Sequence, residues 1–494
     1  MIVSKRSLKM IQMGVLALVT SAWASGPLLA QDTKQTMAQN MAQDKAQDLT
    51  QEKPAKKSKA ALSDQPKPML PESAIGPRNG PLIEWGDPFL STGRLHDPLV
   101  LPTGAVWSPS LWIFGSYRAA LQAVDHDARE NHVEAVHRLD LTANLQLSGT
   151  ERIVLGVTPL HDGGDFSRYV FEGAADQEGG HSATGAHVST FFAEFEIAEL
   201  FPSIDRNDQY PLDIGFALGR QKIEFQDTFL VNDTMDSIGI VKNNLLWSGT
   251  SNARITFLYA WDEIHRGNNV EDDHAKLYGL FTSYDLADTS IDADVIYVDS
   301  RDDIAARHYG DSIHIGISAA QRIGLWNTEL RLLASQGLDT DSAAANDGVV
   351  LYLETSTSFP GAPHIFYANG FVGEGQFTSA SRAGTAGGPM GRTGLLFSSA
   401  NLGAYGAPLN NRGQDAIGSA IGYQMFFGVK KRLTFEIGGV ADTGSNKTGG
   451  FGLATRYSRK LSRHFILNLG GYVVENENSS GTGYGLRSEL EVKF

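Results

Sequence analysis

Residues 484–494, with the sequence YGLRSELEVKF, decide the fold of this chain. One parity of the segment is apolar, with a single serine as the interruption: Tyr484, Leu486, Ser488, Leu490, Val492 and Phe494. The other parity is charged: Arg487, Glu489, Glu491 and Lys493. Neighbouring side chains on a strand point to opposite faces of a sheet. The segment therefore predicts a strand with one apolar face and one charged face.

The same alternation recurs along most of the chain from residue 111. Ile313, Ile315 and Ile317, for example, alternate with His314, Gly316 and Ser318. We therefore predict eighteen strands, near 111–124, 133–147, 150–157, 187–200, 211–225, 235–247, 251–262, 274–286, 289–299, 310–321, 324–336, 347–358, 363–374, 418–429, 432–442, 449–459, 463–474 and 482–494. Sixteen is the alternative even count.

The connections between these segments alternate in length. Those after odd-numbered strands span roughly 6 to 43 residues, and those after even-numbered strands mostly span about 2 to 4, with 201–210 as an exception. Long outer loops and tight periplasmic turns are typical of outer-membrane barrels. The sequence therefore predicts an all-β chain in which residues 81–494 form a transmembrane antiparallel β-barrel. A soluble all-β domain is the alternative.

Two outer connections, 158–186 and 375–417, are long enough to fold into such a barrel. Long loops in compact domains are usually functional or disordered. The sequence leaves open whether these two plug the pore or cover its surface.

The N-terminus has a different composition. Lys5, Arg6 and Lys9 precede a short apolar stretch and a small-residue cleavage pattern, which is typical of a secretory signal peptide within residues 1–30. Residues 31–80 hold 8 basic and 6 acidic side chains and show no apolar periodicity. Such a segment buries too little apolar surface to fold, so we predict a disordered periplasmic linker.

The composition excludes several classes of protein. The chain has no cysteine, and it carries no metalloprotease, P-loop or nucleophile-elbow motif. Residues 81–494 hold 30 basic and 50 acidic side chains, a balance that disfavours nucleic acid as a partner. We predict no catalytic residue, no cofactor and no metal site.

The charged parity of the strands predicts the lining of a water-filled pore, because a charge on the lipid face costs a few kcal/mol. An electrostatic filter for an anionic solute would use arginine and lysine held by carboxylates. The alternative is that ion pairs only stiffen the wall. The candidate pore-lining residues are Arg118, Arg138, Arg220, Lys222, Glu224, Arg254, Glu329, Arg331, Arg456 and Arg487.

The most distinctive segment is LGRQKIEF, residues 218–225, in which the apolar parity switches at Gly219. The switch predicts a β-bulge that aims Arg220, Lys222 and Glu224 together into the lumen. Here the chain resembles the alginate-export family of outer-membrane channels, whose barrels carry a Gly-Arg-Gln strand motif. The resemblance implies an eighteen-stranded barrel in which Arg220, Lys222, Arg254 and Arg331 contact a polyanion.

The C-terminal Phe494 resembles the terminal signature that the barrel-assembly machinery reads in Gram-negative bacteria. Together with the signal peptide it predicts the cell outer membrane, with lipids and lipopolysaccharide as neighbours. The leading functional hypothesis is a passive channel for polar or anionic solutes, including export of an exopolysaccharide. An outer-membrane enzyme with a closed barrel and an adhesive or structural barrel are the alternatives.

Overall fold

The computed structural model describes residues 79–90, 97–125, 131–174, 176–204, 212–300, 310–339, 344–359, 361–444, 449–477 and 482–494. The predicted signal peptide and nearly all of the predicted linker lie outside these residues. We number the strands of the wall in chain order: β1 Ser110–Asp125, β2 His132–Gln146, β3 Arg152–Thr158, β4 His187–Glu196, β5 Ile214–Phe225, β6 Val231–Lys242, β7 Asn252–Asp262, β8 Lys276–Asp285, β9 Thr289–Asp299, β10 Ser312–Ile323, β11 Trp326–Gly337, β12 Gly348–Ser358, β13 Ile365–Gly375, β14 Ala416–Phe426, β15 Lys431–Asp442, β16 Gly449–Lys460, β17 Phe465–Asn476 and β18 Thr482–Lys493.

These strands form a closed antiparallel barrel. Each strand pairs with its neighbour in the chain, and β18 pairs with β1 from Tyr484↔Asp125 to Lys493↔Ser116. Phe494 extends this seam, because its backbone N–H and carbonyl both bond to Gly115, at 3.0 and 2.6 Å. Each predicted strand overlaps one observed strand, so the predicted eighteen-stranded barrel is confirmed.

The outer face of the wall is apolar. Phe257, Leu280, Val295, Phe435 and Leu453 are among many large hydrophobic side chains that are exposed on alternate strand positions. Aromatic rings lie near both ends of the strands, as in the row Tyr259, Tyr278 and Tyr297 and in the pairs Trp247–Tyr284 and Trp326–Phe366. An apolar band between aromatic girdles is the outer surface of a membrane-spanning barrel.

Helices are few in the described part of the chain. One α-helical turn, Ile197–Leu200, ends the segment that was predicted as a strand up to residue 200, and Pro389–Thr393 forms a 3-10 helix. None of the described helices is long and apolar enough to cross a membrane.

The barrel interior is largely filled, contrary to the expectation of a wholly water-filled pore. A buried apolar cluster joins loop residues such as Phe229, Leu396 and Phe397 to inward residues of the wall such as Leu333 and Val350. The inward parity therefore carries apolar as well as charged side chains, because much of it contacts protein and not water.

Most of this filling comes from residues 376–415, which we name the inner loop. Its Ser381–Arg382 segment pairs in parallel with Val231 and Asn232 of β6. Farther along, Leu402 packs against Ala120 and Val136 of β1 and β2. The inner loop therefore crosses the interior from β6 to the seam strands, and of the two predicted alternatives it is a plug.

The connection between β3 and β4 has a different structure. Its segment Asp165–Glu172 pairs with the outer part of β2, from Val133↔Glu172 to His137↔Ser167, and Gly179–His181 pairs with that segment in turn. We name residues 159–186 the wall flap, because the described part of this segment adds strands to the sheet of the wall beside the outer part of β2. Phe166 of the wall flap joins the same apolar cluster as Leu402.

Candidate solute pathway

Seven of the ten candidate pore-lining residues face the interior. The inward parity is fixed by side chains that bond to the inner loop, such as Gln122 on β1 and Glu134 on β2. Residues on the same parity, or on the face opposite to exposed apolar residues such as Phe257 and Leu453, point the same way. The inward set is Arg118, Arg138, Arg254, Glu329, Arg331, Arg456 and Arg487.

The other three, Arg220, Lys222 and Glu224, lie on the outer face, and their predicted placement in the lumen is wrong. β5 pairs with β6 in unbroken register from Ile214↔Lys242 to Phe225↔Val231, so there is no bulge between these two strands. Gln221 is on the opposite face, where it bonds to Ser237 at 3.2 Å. Because the register is unbroken, the faces do not change along β5.

The apolar parity switches on β5 because the interior beside its second half is filled by apolar side chains and not by water. Ile223 belongs to the buried core, and Phe225 stacks on the buried ring of Phe281 with 3.3 Å between centroids. Gly219 has a positive φ of +123°, and a side chain there would collide with the carbonyl oxygen of Phe191. The glycine thus marks a close approach of β4 and β5.

Two of the inward arginines hold the inner loop. Arg118 donates to Glu489 at 2.8 Å and to the carbonyl of Ala400 at 3.3 Å. Arg487 donates to the carbonyl of Leu402 at 3.1 Å and also bonds to Gln122 and Glu489. The N–H donors of these two arginines bond to groups of the protein itself. This agrees with the predicted alternative in which ion pairs stiffen the barrel wall.

Two buried carboxylates that are not among the ten candidate pore-lining residues hold the same loop. Glu134 accepts the backbone N–H of Ala404 at 2.6 Å. Glu436 accepts the N–H groups of Leu395 and Leu396 at 2.8 and 2.9 Å. Acidic residues on the inward parity were the available signal, but their partners are backbone groups that no motif identifies.

Glu329 and Arg331 act together on a second, shorter connection. Arg331 is almost wholly buried, bonds to Glu329, donates to Asp227 at 2.8 Å and to Gln226 at 3.1 Å, and lies 4.7 Å from the ring of Phe229. The connection between β5 and β6 is therefore fixed to the inside of β11.

Arg138, Arg254 and Arg456 are inward arginines that are at least partly exposed, and the inward Glu329 lines a cavity. Arg138 pairs with Asp140 of its own strand at 2.8 Å, and Arg152, toward the opposite end of the neighbouring β3, pairs with Glu194 on β4 at 2.6 Å. Arg456 lines a cavity of about 50 Å³ beside Arg487. Two larger cavities of about 580 Å³ each lie along the wall, one from β2 to β7 and one from the turn after β8 to β12. That solute contacts these three arginines stays a prediction.

The extracellular side of the inner loop is fixed by an aspartate. Asp233 of β6 accepts the hydroxyl of Ser381 at 2.6 Å and the backbone N–H of His265 at 2.8 Å. Burial opposes the charge on the His265 ring, but its hydrogen bond to Asp233 and the nearby carboxylates raise its pKa. Arg382 donates to the carbonyl oxygens of Thr228, Ala386, Gly387 and Gly388, and although burial lowers its pKa to about 10 it stays charged at neutral pH.

Within the described residues, no group of three or more histidine and acidic side chains is arranged to hold a metal ion. Many charged side chains of the interior, such as Arg118, Arg138 and Arg487, are paired with one another or with backbone groups. What this arrangement can do is bind and orient charged groups of a passing solute.

No family model matches the chain, and no curated protein sequence matches it. Solved structures do. A BenF-like porin from Pseudomonas fluorescens Pf-5 is 9% identical with a TM-score of 0.54, covering 78% of this chain and 98% of the porin. OccAB3 of Acinetobacter baumannii is 12% identical with a TM-score of 0.52, covering 78% and 99%. OpdK of Pseudomonas aeruginosa, solved with vanillate, is 11% identical with a TM-score of 0.51, covering 78% and 98%.

These likenesses show the fold, which is that of the outer-membrane porins. The alginate-export family is not shown by them. The resemblance to that family also loses the residues on which it was based, because Arg220 and Lys222 of the Gly-Arg-Gln segment face outward.

Proposed function

We propose that this chain is an outer-membrane channel for small polar or anionic solutes. The proposal is supported by the structure of the barrel interior. The inner loop narrows this interior, and charged side chains line the cavities that remain along the wall. Arg152, Glu194, Glu329 and Glu354 line the two larger cavities. Charged groups on a pore wall select solutes by charge.

We restrict the proposal to small solutes and do not extend it to a polysaccharide. The inner loop crosses the interior and is held by wall residues on both sides, including Asp233 and Glu436. A polysaccharide could pass through the barrel only if this buried segment moved out of the interior. OpdK was solved with vanillate, so a small aromatic carboxylate is a suitable first test solute.

Planar-bilayer recordings in a KCl gradient test the proposal. We expect Arg138→Ala and Arg456→Ala to shift the reversal potential toward cation selectivity, because each removes an inward positive charge. Arg459→Ala is the matched control, since Arg459 lies on the same strand as Arg456 but faces outward. Liposome swelling should be faster with vanillate than with a neutral sugar of similar size.

Two results would contradict the proposal. One is the absence of conductance both in the intact protein and after removal of the inner loop. The other is a reversal potential that Arg459→Ala shifts as much as Arg456→Ala.

A further inference from the structure

Three cations lie together on the outer face of the barrel, and we name Arg220, Lys222 and Lys276 the outer cationic patch. Arg220 and Lys222 share their face with Leu218, which is exposed, and Lys276 shares its face with Tyr278. Arg220 and Lys276 converge on the end of β7. Arg220 contacts Glu263 at 2.8 Å, and the Lys276 amine donates to the carbonyl of Trp261 at 2.6 Å.

The patch lies at the depth of lipid head groups. Along β5 the outward positions are Phe216 and Leu218 and then Arg220 and Lys222, so the apolar face ends where the patch begins. The row of tyrosines on β7, β8 and β9 runs beside it, and aromatic girdles mark the membrane interface. The first wall strand begins and the last one ends at the opposite end, where the short turns also lie, so this is the extracellular end.

The clustering is local. On the extracellular halves of the strands that the structure describes, no other outward position carries lysine or arginine. The outward charges elsewhere at that level are acidic, as at Asp125, Glu374 and Glu475. The three cations are therefore concentrated on β5 and β8.

We propose that the outer cationic patch binds the phosphorylated head group of a lipid A-type glycolipid in the outer leaflet. Asp236 holds the Arg220 guanidinium at 2.7 and 3.1 Å and Glu263 contacts it at 2.8 Å, so this arginine is already paired. The contacts to phosphate therefore come from the amines of Lys222 and Lys276. Lys222 is 61% exposed and bonds only to Glu224 among the described residues, so its amine can turn to a phosphate. The inference rests on the outer-membrane location assumed in the proposed function.

The test measures lipid retained by the purified full chain in detergent with EDTA, by native mass spectrometry. The probes are bisphosphorylated lipid A, the same lipid without phosphates, and phosphatidylglycerol. We expect lipid A to bind more tightly than both other probes, and Lys222→Gln/Lys276→Gln to weaken it by about fivefold for each lysine removed. Arg459→Gln is the control, because Arg459 faces outward at the periplasmic end.

Equal binding of lipid A with and without phosphates would overturn the inference, as would equal binding of phosphatidylglycerol or an equal loss in Arg459→Gln. If the double variant does not show the heat-dependent shift in gel mobility that marks a folded barrel, Lys222→Gln alone is used in its place. Conductance is recorded on the same samples. Loss of lipid binding with intact conductance separates this site from the proposed channel, whose failure would instead appear as absent conductance.

Discussion

Glu436 illustrates what a charged residue on the inward face does here. Its buried carboxylate accepts two backbone N–H groups of the inner loop and the hydroxyl of Tyr367. A buried acceptor with three donors cannot be replaced without leaving donors unpaired. Position on the inward parity could be predicted from the sequence, but this role could not, since the loop backbone supplies the partners.

We expect Glu436→Gln to destabilise the barrel by about 1–3 kcal/mol, because an amide group would face N–H donors that the carboxylate now accepts. Thermal unfolding in detergent, followed by circular dichroism, measures the change. Glu374→Gln is the control, since Glu374 is exposed at the outer end of β13. A Glu436→Gln midpoint as high as that of the control would contradict the assignment.

His161 in the wall flap provides a pH-dependent test. Burial, and then the charge of Arg138, lower its pKa to about 4, while the ring stacks on Phe166. The folded pKa lies below the unfolded value of about 6.5, so His161 stabilises the fold above that pH. This contribution is lost as the pH falls from about 6.5 toward 4.

The stability difference between wild type and His161→Gln should therefore shrink between pH 7 and pH 4.5, as measured by thermal midpoints at each pH. The difference between the two proteins therefore reports His161 together with the charged groups that face it, Arg138, Asp140, Asp162 and His187. A difference that stays constant or grows on acidification would show that His161 is not held neutral.

At the scale of the element, β5 separates what parity can predict from what it cannot. Alternation predicted that a strand lies there, and the strand is observed at Ile214–Phe225. It failed to predict the face: the predicted bulge aims Arg220, Lys222 and Glu224 into the lumen, whereas Ile223 and Phe225 are the residues that contact the filled interior. The apolar parity of a strand identifies its lipid-facing side only where the barrel interior is filled with water. Here loops that are distant in sequence fill the interior, so the rule fails.

The inner loop and the wall flap also meet, and a disulfide can test this contact. A Cβ atom on Gly164 would lie 3.8 Å from Cγ2 of Thr385. We expect Gly164→Cys/Thr385→Cys to form a disulfide on mild oxidation, which thiol counting detects without interference because the chain has no cysteine. Each single variant is the control for intermolecular bonds. Two thiols that stay free would show that the two segments do not lie together.

At the scale of the whole molecule, closure depends on the seam between β1 and β18. A Cβ atom on Gly115 would collide with the Phe494 ring and the Leu141 side chain. We expect Gly115→Leu to lower the yield of folded barrel severalfold, measured by heat-shifted gel mobility. Gly239→Ala is the control, because a Cβ atom there meets nothing within 4 Å. Equal yields would mean that the terminal phenylalanine is dispensable for closure.

The seam has a further consequence for the order of folding. The side chains that hold residues 400–404 of the inner loop come from the first strands and the last, namely Arg118, Glu134 and Arg487. Contacts so distant along the chain form late, because the entropy of closing the intervening segments must be overcome first. This part of the inner loop can thus consolidate only after the first and last strands have met. In an intermediate with an open edge, residues 400–404 would be exposed to solvent and to protease.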